Sequence, residues 1–121
     1  MRILLVDDDA LLRDMYATKF EEGGHTVEKV GSGERAIELL KDGGFDVVLF
    51  DMVMPVLTGV ELLERVQKLG LSNPPKCIVL SNQGEESDME KARVAGASGY
   101  IVKAQMVPSE VVAKVEELVS K

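Results

Sequence analysis

The chain has 121 residues, 45% hydrophobic and 29% charged, the balance of a globular protein and, at roughly 100–200 residues per domain, enough for one domain over residues 1–121. Fourteen Lys and Arg against twenty-one Asp and Glu leave a formal charge of −7, which opposes direct nucleic-acid binding because that needs clustered basic side chains. No apolar run approaches the ~20 residues that span a bilayer, and a lone cysteine, Cys77, excludes an intrachain disulfide and a multi-cysteine zinc site.

Residues 3–6 are aliphatic, close on Asp7-Asp8-Asp9, and read as a first strand. They lack the apolar core and small-residue cleavage site of a signal peptide, so no membrane contact and a cytoplasmic location are expected. Asp9 stands where a helix N-cap would, and Leu12, Met15, Tyr16 and Phe20 follow at helical spacing up to Gly23-Gly24. His25 reads as a turn residue before a mixed strand over 26–30, which its polar positions place near a sheet edge. Ser32 caps a helix carrying Ala36, Ile37 and Leu40, stopped by Gly43-Gly44.

The run 47–50 is a third strand, ended by Asp51, with Met52 and Met54 as packing groups in the turn beyond. Thr58-x-x-Glu61 has capping-box spacing and opens a helix bearing Leu62, Leu63 and Val66. Residues 77–80 form a fourth strand ended by Ser81, with Cys77 a buried, inert thiol. Ser87-x-x-Glu90 is read as a second capping box before Met89, Ala92 and Ala95. A fifth strand over 100–102 ends at Lys103, and Pro108 starts a last helix with Val111, Val112, Val115 and Val119. Solidly aliphatic strands alternating with helices predict an α/β fold: a doubly wound (βα)5 three-layer sandwich around a five-stranded parallel sheet.

In such a sheet, ligands bind beyond the carboxyl ends of the strands, so Asp7, Asp8, Asp51, Ser81 and Lys103 converge on one surface. Carboxylates that close raise each other's pKa or recruit a cation. An all-oxygen set with room for water suits Mg²⁺. Lys103 and the Ser81 hydroxyl are then placed to meet phosphoryl oxygens, and one carboxylate is left as a nucleophile. The residues themselves read as a Mg²⁺-dependent aspartyl-phosphate site.

Val6-Asp7-Asp8-Asp9, Asp51-Met52-x-Met54-Pro55-x-x-x-Gly59, Val79-Leu80-Ser81 and Gly99-Tyr100-x-x-Lys103 stand in the order and spacing of one family. Over essentially its whole length the chain resembles the receiver domain of two-component response regulators, in the chemotaxis-type single-domain form with a flavodoxin-like fold. The resemblance implies that Asp51 accepts a phosphoryl group from a sensor histidine kinase or phosphotransfer protein. It implies that Asp7, Asp8, Asp51 and the backbone carbonyl of Val53 hold Mg²⁺, and that Ser81 and Tyr100 form a switch pair. It further implies output through an α4–β5–α5 face, here about residues 87–119, to a downstream protein target or a fused output domain, and a phosphorylation-dependent dimer. Self-phosphorylation from a phosphodonor and slow autodephosphorylation are expected in place of metabolic turnover.

Four positions bear on the match to the family pattern. Ala104 follows Lys103 where the family usually has a proline on a cis bond; a cis non-proline bond costs about 3–4 kcal/mol, so a trans bond is expected. Asn82 stands where the family usually has a small side chain, and Val53 and Gln83 occupy positions that flank the route of the hydrolytic water in the family. The alternative these changes raise is a receiver-like interaction module that is never phosphorylated. Gly31-x-Gly33-x-x-Ala36 fits a dinucleotide fingerprint, but it follows the second strand and leaves the acids and Lys103 unexplained. Asp7-x-Asp9 resembles the haloacid-dehalogenase phosphatase motif, which wants Thr or Val where Leu11 stands, and the cap domain of that family is not expected here.

Overall fold

The computed structural model describes residues 1–120. Its elements run β1 (Arg2–Val6), α1 (Ala10–Glu22), β2 (Thr26–Val30), α2 (Gly33–Leu40), β3 (Val47–Phe50), α3 (Gly59–Lys68), β4 (Lys76–Ser81), α4 (Glu86–Ala95), β5 (Gly99–Val102), a 3₁₀ turn (Lys103–Gln105) and α5 (Pro108–Val119). The strands form one parallel sheet in the order β2-β1-β3-β4-β5. The chain steps from β1 out to β2 and returns on the other side of β1 as β3, so the β1/β3 boundary is the switch point where a crevice opens.

Alternation along each strand sorts the core into two halves. Leu4, Val6, Val48, Phe50 and Val79 face α2, α3 and α4, where they meet Ala36, Leu40, Leu62, Leu63, Val66 and Ala92. Ile3, Leu5, Val47, Leu49, Ile78, Leu80 and Ile101 face α1 and α5, where they meet Tyr16, Phe20, Val111, Val112 and Val115. Both faces of β1, β3 and β4 are therefore covered, which is why those strands read as unbroken aliphatic runs. The mixed strand β2 is at an edge, as its polar positions predict.

Local signals place most helix starts. Asp9 caps α1 by accepting from the amides of Leu11 and Leu12, and Ser32 caps α2 by accepting from Arg35 N. Thr58 and Glu61 form the reciprocal box, with Glu61 N donating to Thr58 Oγ1 at 3.2 Å and Thr58 N to Glu61 Oε1 at 3.0 Å. The expected Ser87–Glu90 box is not formed. Glu85 is the N-cap of α4 and makes no side-chain bond there, while Ser87 lies inside the first turn beside Glu86 and Asp88, whose charges complement the helix dipole.

Met15 is 37% exposed, so the buried seam of α1 runs through Tyr16, Ala17 and Phe20. His25 is more than a turn residue. It is half-buried, its Nδ1 lies 3.1 Å from the Met1 amino group, and its Nε2 lies 2.9 Å from Glu116 of α5. Among the described residues no peptide bond is cis, so Lys103–Ala104 is trans as expected, and no helix is long and apolar enough to cross a membrane.

Candidate functional site

The carboxyl ends of β1, β3, β4 and β5 deliver Asp7, Asp51, Ser81 and Lys103 to one place. Asp7 is almost fully buried at the end of β1. Its amide donates to Val30 O at 3.1 Å, and its Oδ1 accepts from Asp9 N at 2.9 Å. Asp51 follows β3 immediately. Its Oδ1 accepts from Ser81 Oγ at 2.7 Å and from Val53 N at 3.1 Å.

Lys103 ties the two acids together. Its Nζ donates to Asp51 Oδ2 at 3.2 Å and lies 3.4 Å from Asp7 Oδ2. The lysine side chain is only 8% exposed, so this is an ion cluster withdrawn from water, where an unpaired charge would be costly. Burial opposes the charged ammonium, but the Asp51 and Asp7 carboxylates outweigh it and hold Lys103 above the ordinary lysine range. The trans Lys103–Ala104 bond begins a 3₁₀ turn and still delivers the ammonium to both carboxylates.

Asp8 is exposed beside this cluster. The Lys103 ammonium and the nearby Arg13 guanidinium leave the three carboxylates of Asp7, Asp8 and Asp51 in excess, which favours a cation at the site. Among the described residues no three His, Cys, Asp or Glu side chains form a ready-made cage. A hard cation that uses one or two carboxylates and keeps several waters fits this donor set, and a cation needing an all-protein shell does not. The oxygens of Asp7, Asp8 and Asp51 are thus compatible with Mg²⁺.

Ser81 Oγ also accepts from Gln83 N at 3.2 Å, and the Tyr100 hydroxyl donates to Gln83 O at 2.6 Å. A line of polar contacts therefore leads from Asp51 through Ser81 and Gln83 to the ring on β5. Burial raises the Tyr100 phenol above its usual pKa, while the neighbouring Ser81 hydroxyl acts in the other direction. Asn82, Gln83 and Ala104 are exposed, as is Val53, at 58%. Met52 and Met54 are buried packing groups, as expected.

Several contributors were not legible as site residues. Tyr16 reads as a core aromatic, yet it feels the charges of Lys103 and Asp7; burial is the main cause of its raised pKa. Gly59 has a steric duty: a Cβ there would stand 2.6 Å from Asp51 O and 2.8 Å from Met52 Cα. Gly33, part of the dinucleotide-like motif, instead gives Leu57 room to pack, 2.7 Å from where a Cβ would be. Arg13 donates from Nη1 to the carbonyl of Asp7 at 3.0 Å; its only signal in the sequence is a cation one turn beyond the Asp9 cap.

Comparison with known proteins agrees with this fold. A family model for the response regulator receiver domain matches residues 3–116. The chemotaxis protein CheY of Halobacterium salinarum is 32% identical over 89% of this chain and 88% of its own length. The two-component response regulator PhoP of Pseudomonas aeruginosa is 32% identical over 85% of this chain, which spans only 45% of that relative. A CheY-like receiver domain protein from Methanospirillum hungatei superposes with a TM-score of 0.87 at 29% identity, covering 98% of this chain and 93% of the other.

Proposed function

The chain belongs to the response regulator receiver family, and from that premise we propose that it is a phosphorylation-dependent switch whose phosphoacceptor is Asp51. The observation that carries this reading is Lys103, whose ammonium donates to Asp51 Oδ2 while Ser81 Oγ donates to Oδ1. Each acceptor oxygen thus already has a donor placed to follow charge onto an incoming phosphoryl group.

In the proposed reaction a carboxylate oxygen of Asp51 attacks the phosphorus of a phosphohistidine on a sensor kinase or phosphotransfer protein. The P–N bond breaks, its electron pair stays on the imidazole nitrogen, and an acyl phosphate forms on Asp51. Lys103 and Ser81 bind phosphoryl oxygens. Asp7, Asp8, Asp51 and the carbonyl of Val53 are the groups that would hold Mg²⁺, which when bound supplies charge neutralisation to the phosphoryl oxygens. Slow attack by water on the phosphorus breaks the bond to the Asp51 oxygen, releasing inorganic phosphate and returning the carboxylate. Lys103 keeps both contacts despite Ala104, which favours this reading over an interaction module that is never phosphorylated.

The contacts from Ser81 through Gln83 to Tyr100 support signalling through the α4–β5–α5 face. A groove of about 270 Å³ there is lined by Met89, Arg93, Ser98 and Tyr100 among others, and a downstream protein, a fused output domain or a second phosphorylated copy would dock on that face. On the donor side, Leu11, Val53, Val56 and Val107 are large exposed apolar side chains on segments that follow strand ends, a rim suited to a protein donor. A cytoplasmic location fits a phosphohistidine donor.

The test is intact mass after incubation with Mg²⁺ and a small acyl phosphate. One added phosphoryl group, dependent on Mg²⁺ and absent in Asp51→Asn, is expected. No gain from either the small donor or a panel of phosphorylated kinases would favour the interaction module.

A further inference from the structure

The Asp7 carbonyl and the Asp8 amide belong to one peptide plane, and the orientation of that plane sets how the two side chains diverge. Arg13 is the side chain that holds it, with Nη1 donating to Asp7 O at 3.0 Å. On the other side of the same residue, Asp7 N is fixed by Val30 O at 3.1 Å. Arg13 forms no ion pair among the described residues, although Asp8, Asp9 and Asp14 lie within five positions of it and Asp14 pairs with Lys29. Gly31 makes room for the guanidinium: a Cβ at that position would come within 3.1 Å of Arg13 Nη1.

We propose that Arg13 is a positioning residue for the acidic pair, holding the Asp7–Asp8 peptide plane so that both carboxylates serve one cation. The inference rests on the Mg²⁺-dependent reading of the site, and Arg13 itself touches neither metal nor phosphoryl group. A guanidinium suits the task because it is charged at every accessible pH and its planar fork is rigid. Groups that orient metal-binding side chains typically carry about ten- to a hundredfold in metal affinity.

The experiment is Mg²⁺ titration by calorimetry on the full chain and on Arg13→Met, Arg13→Lys, Gly31→Ala and Asp8→Asn, with hydrogen exchange of the Asp8 and Asp9 amides read by NMR in metal-free protein. Arg13→Met should weaken Mg²⁺ about tenfold and speed exchange at Asp9, whose amide is bonded to Asp7 Oδ1. Arg13→Lys should recover part of both losses, and Gly31→Ala, a milder change, should move both in the same direction. Combined with Asp8→Asn, Arg13→Met should cost less than it does alone, which a general loss of stability would not produce. Unchanged Mg²⁺ affinity and unchanged exchange in Arg13→Met would overturn the proposal. If the parent chain binds no Mg²⁺, the reading of the site fails, and the amide exchange still decides whether Arg13 holds the plane.

Discussion

Ser81 Oγ donates to Asp51 Oδ1 at 2.7 Å while accepting from Gln83 N at 3.2 Å. One hydroxyl therefore contacts the Asp51 carboxylate and fixes the backbone of the segment whose carbonyl holds Tyr100. On the proposed function, a phosphoryl group on Asp51 would compete for the same hydroxyl, and a local change of charge would become a change of loop and ring position.

Replacing Ser81 with Ala should separate the two roles. Phosphorylation from a small donor should persist but slow by about ten- to a hundredfold, since a hydrogen bond to a charged group is worth about 1.5–3 kcal/mol. The Tyr100 ring signals, followed by NMR, then cease to respond to phosphorylation. A ring that still moves fully in Ser81→Ala would show that the coupling runs elsewhere.

Lys103→Met tests the ion cluster. The rate of phosphoryl uptake, followed by intact mass, should fall by about a hundredfold or more. Chemical denaturation at pH 7 should show a loss of about 2–3 kcal/mol, less than for a fully buried pair because the Asp51 side chain is 17% exposed.

Gly59→Ala should be costly for a residue with so small a change. The added methyl meets Asp51 O and Met52 Cα, both backbone atoms that cannot swing aside. A loss of about 1–3 kcal/mol in thermal or denaturant unfolding is expected, together with slower phosphorylation because the displacement falls on Asp51 itself. Wild-type stability would mean that the β3–α3 turn yields more readily than its packing implies.

Burial pushes the Cys77 thiol up from 9.0 to about 11. A raised folded pKa means that folding favours the protonated thiol. This contribution is fully present below pH 9 and is lost as pH rises through about 11. At pH 8 an alkylating reagent should label the folded chain at least about a hundredfold more slowly than the unfolded one, since only the thiolate reacts. Equal rates would show the site to be open.

The convergence of the site residues was legible where each sits at or directly after the end of a strand. Asp7, Asp51, Ser81 and Lys103 each follow an aliphatic run, and a parallel sheet brings strand ends together whatever the loops do. The two-faced burial of β1, β3 and β4 was legible for the same reason. Steric and main-chain roles were hidden. Arg13 acts on a carbonyl and Gly31 and Gly59 by lacking a Cβ, and neither role leaves a pattern in side-chain chemistry. The Ser87–Glu90 spacing misled because a capping box depends on where the helix begins, and Glu85 begins it two residues earlier. The α1 stripe erred at Met15 because Ala17, though small, sits nearer the centre of the buried seam.

The most direct test of the central claim is to locate the phosphoryl group. After phosphorylation in Mg²⁺, borohydride reduces an acyl phosphate to an alcohol, and peptide mass spectrometry then finds the altered residue. The account predicts a single reduced aspartate, at position 51. Reduction at Asp7 or Asp8 instead, or none after demonstrated phosphoryl uptake, would contradict it.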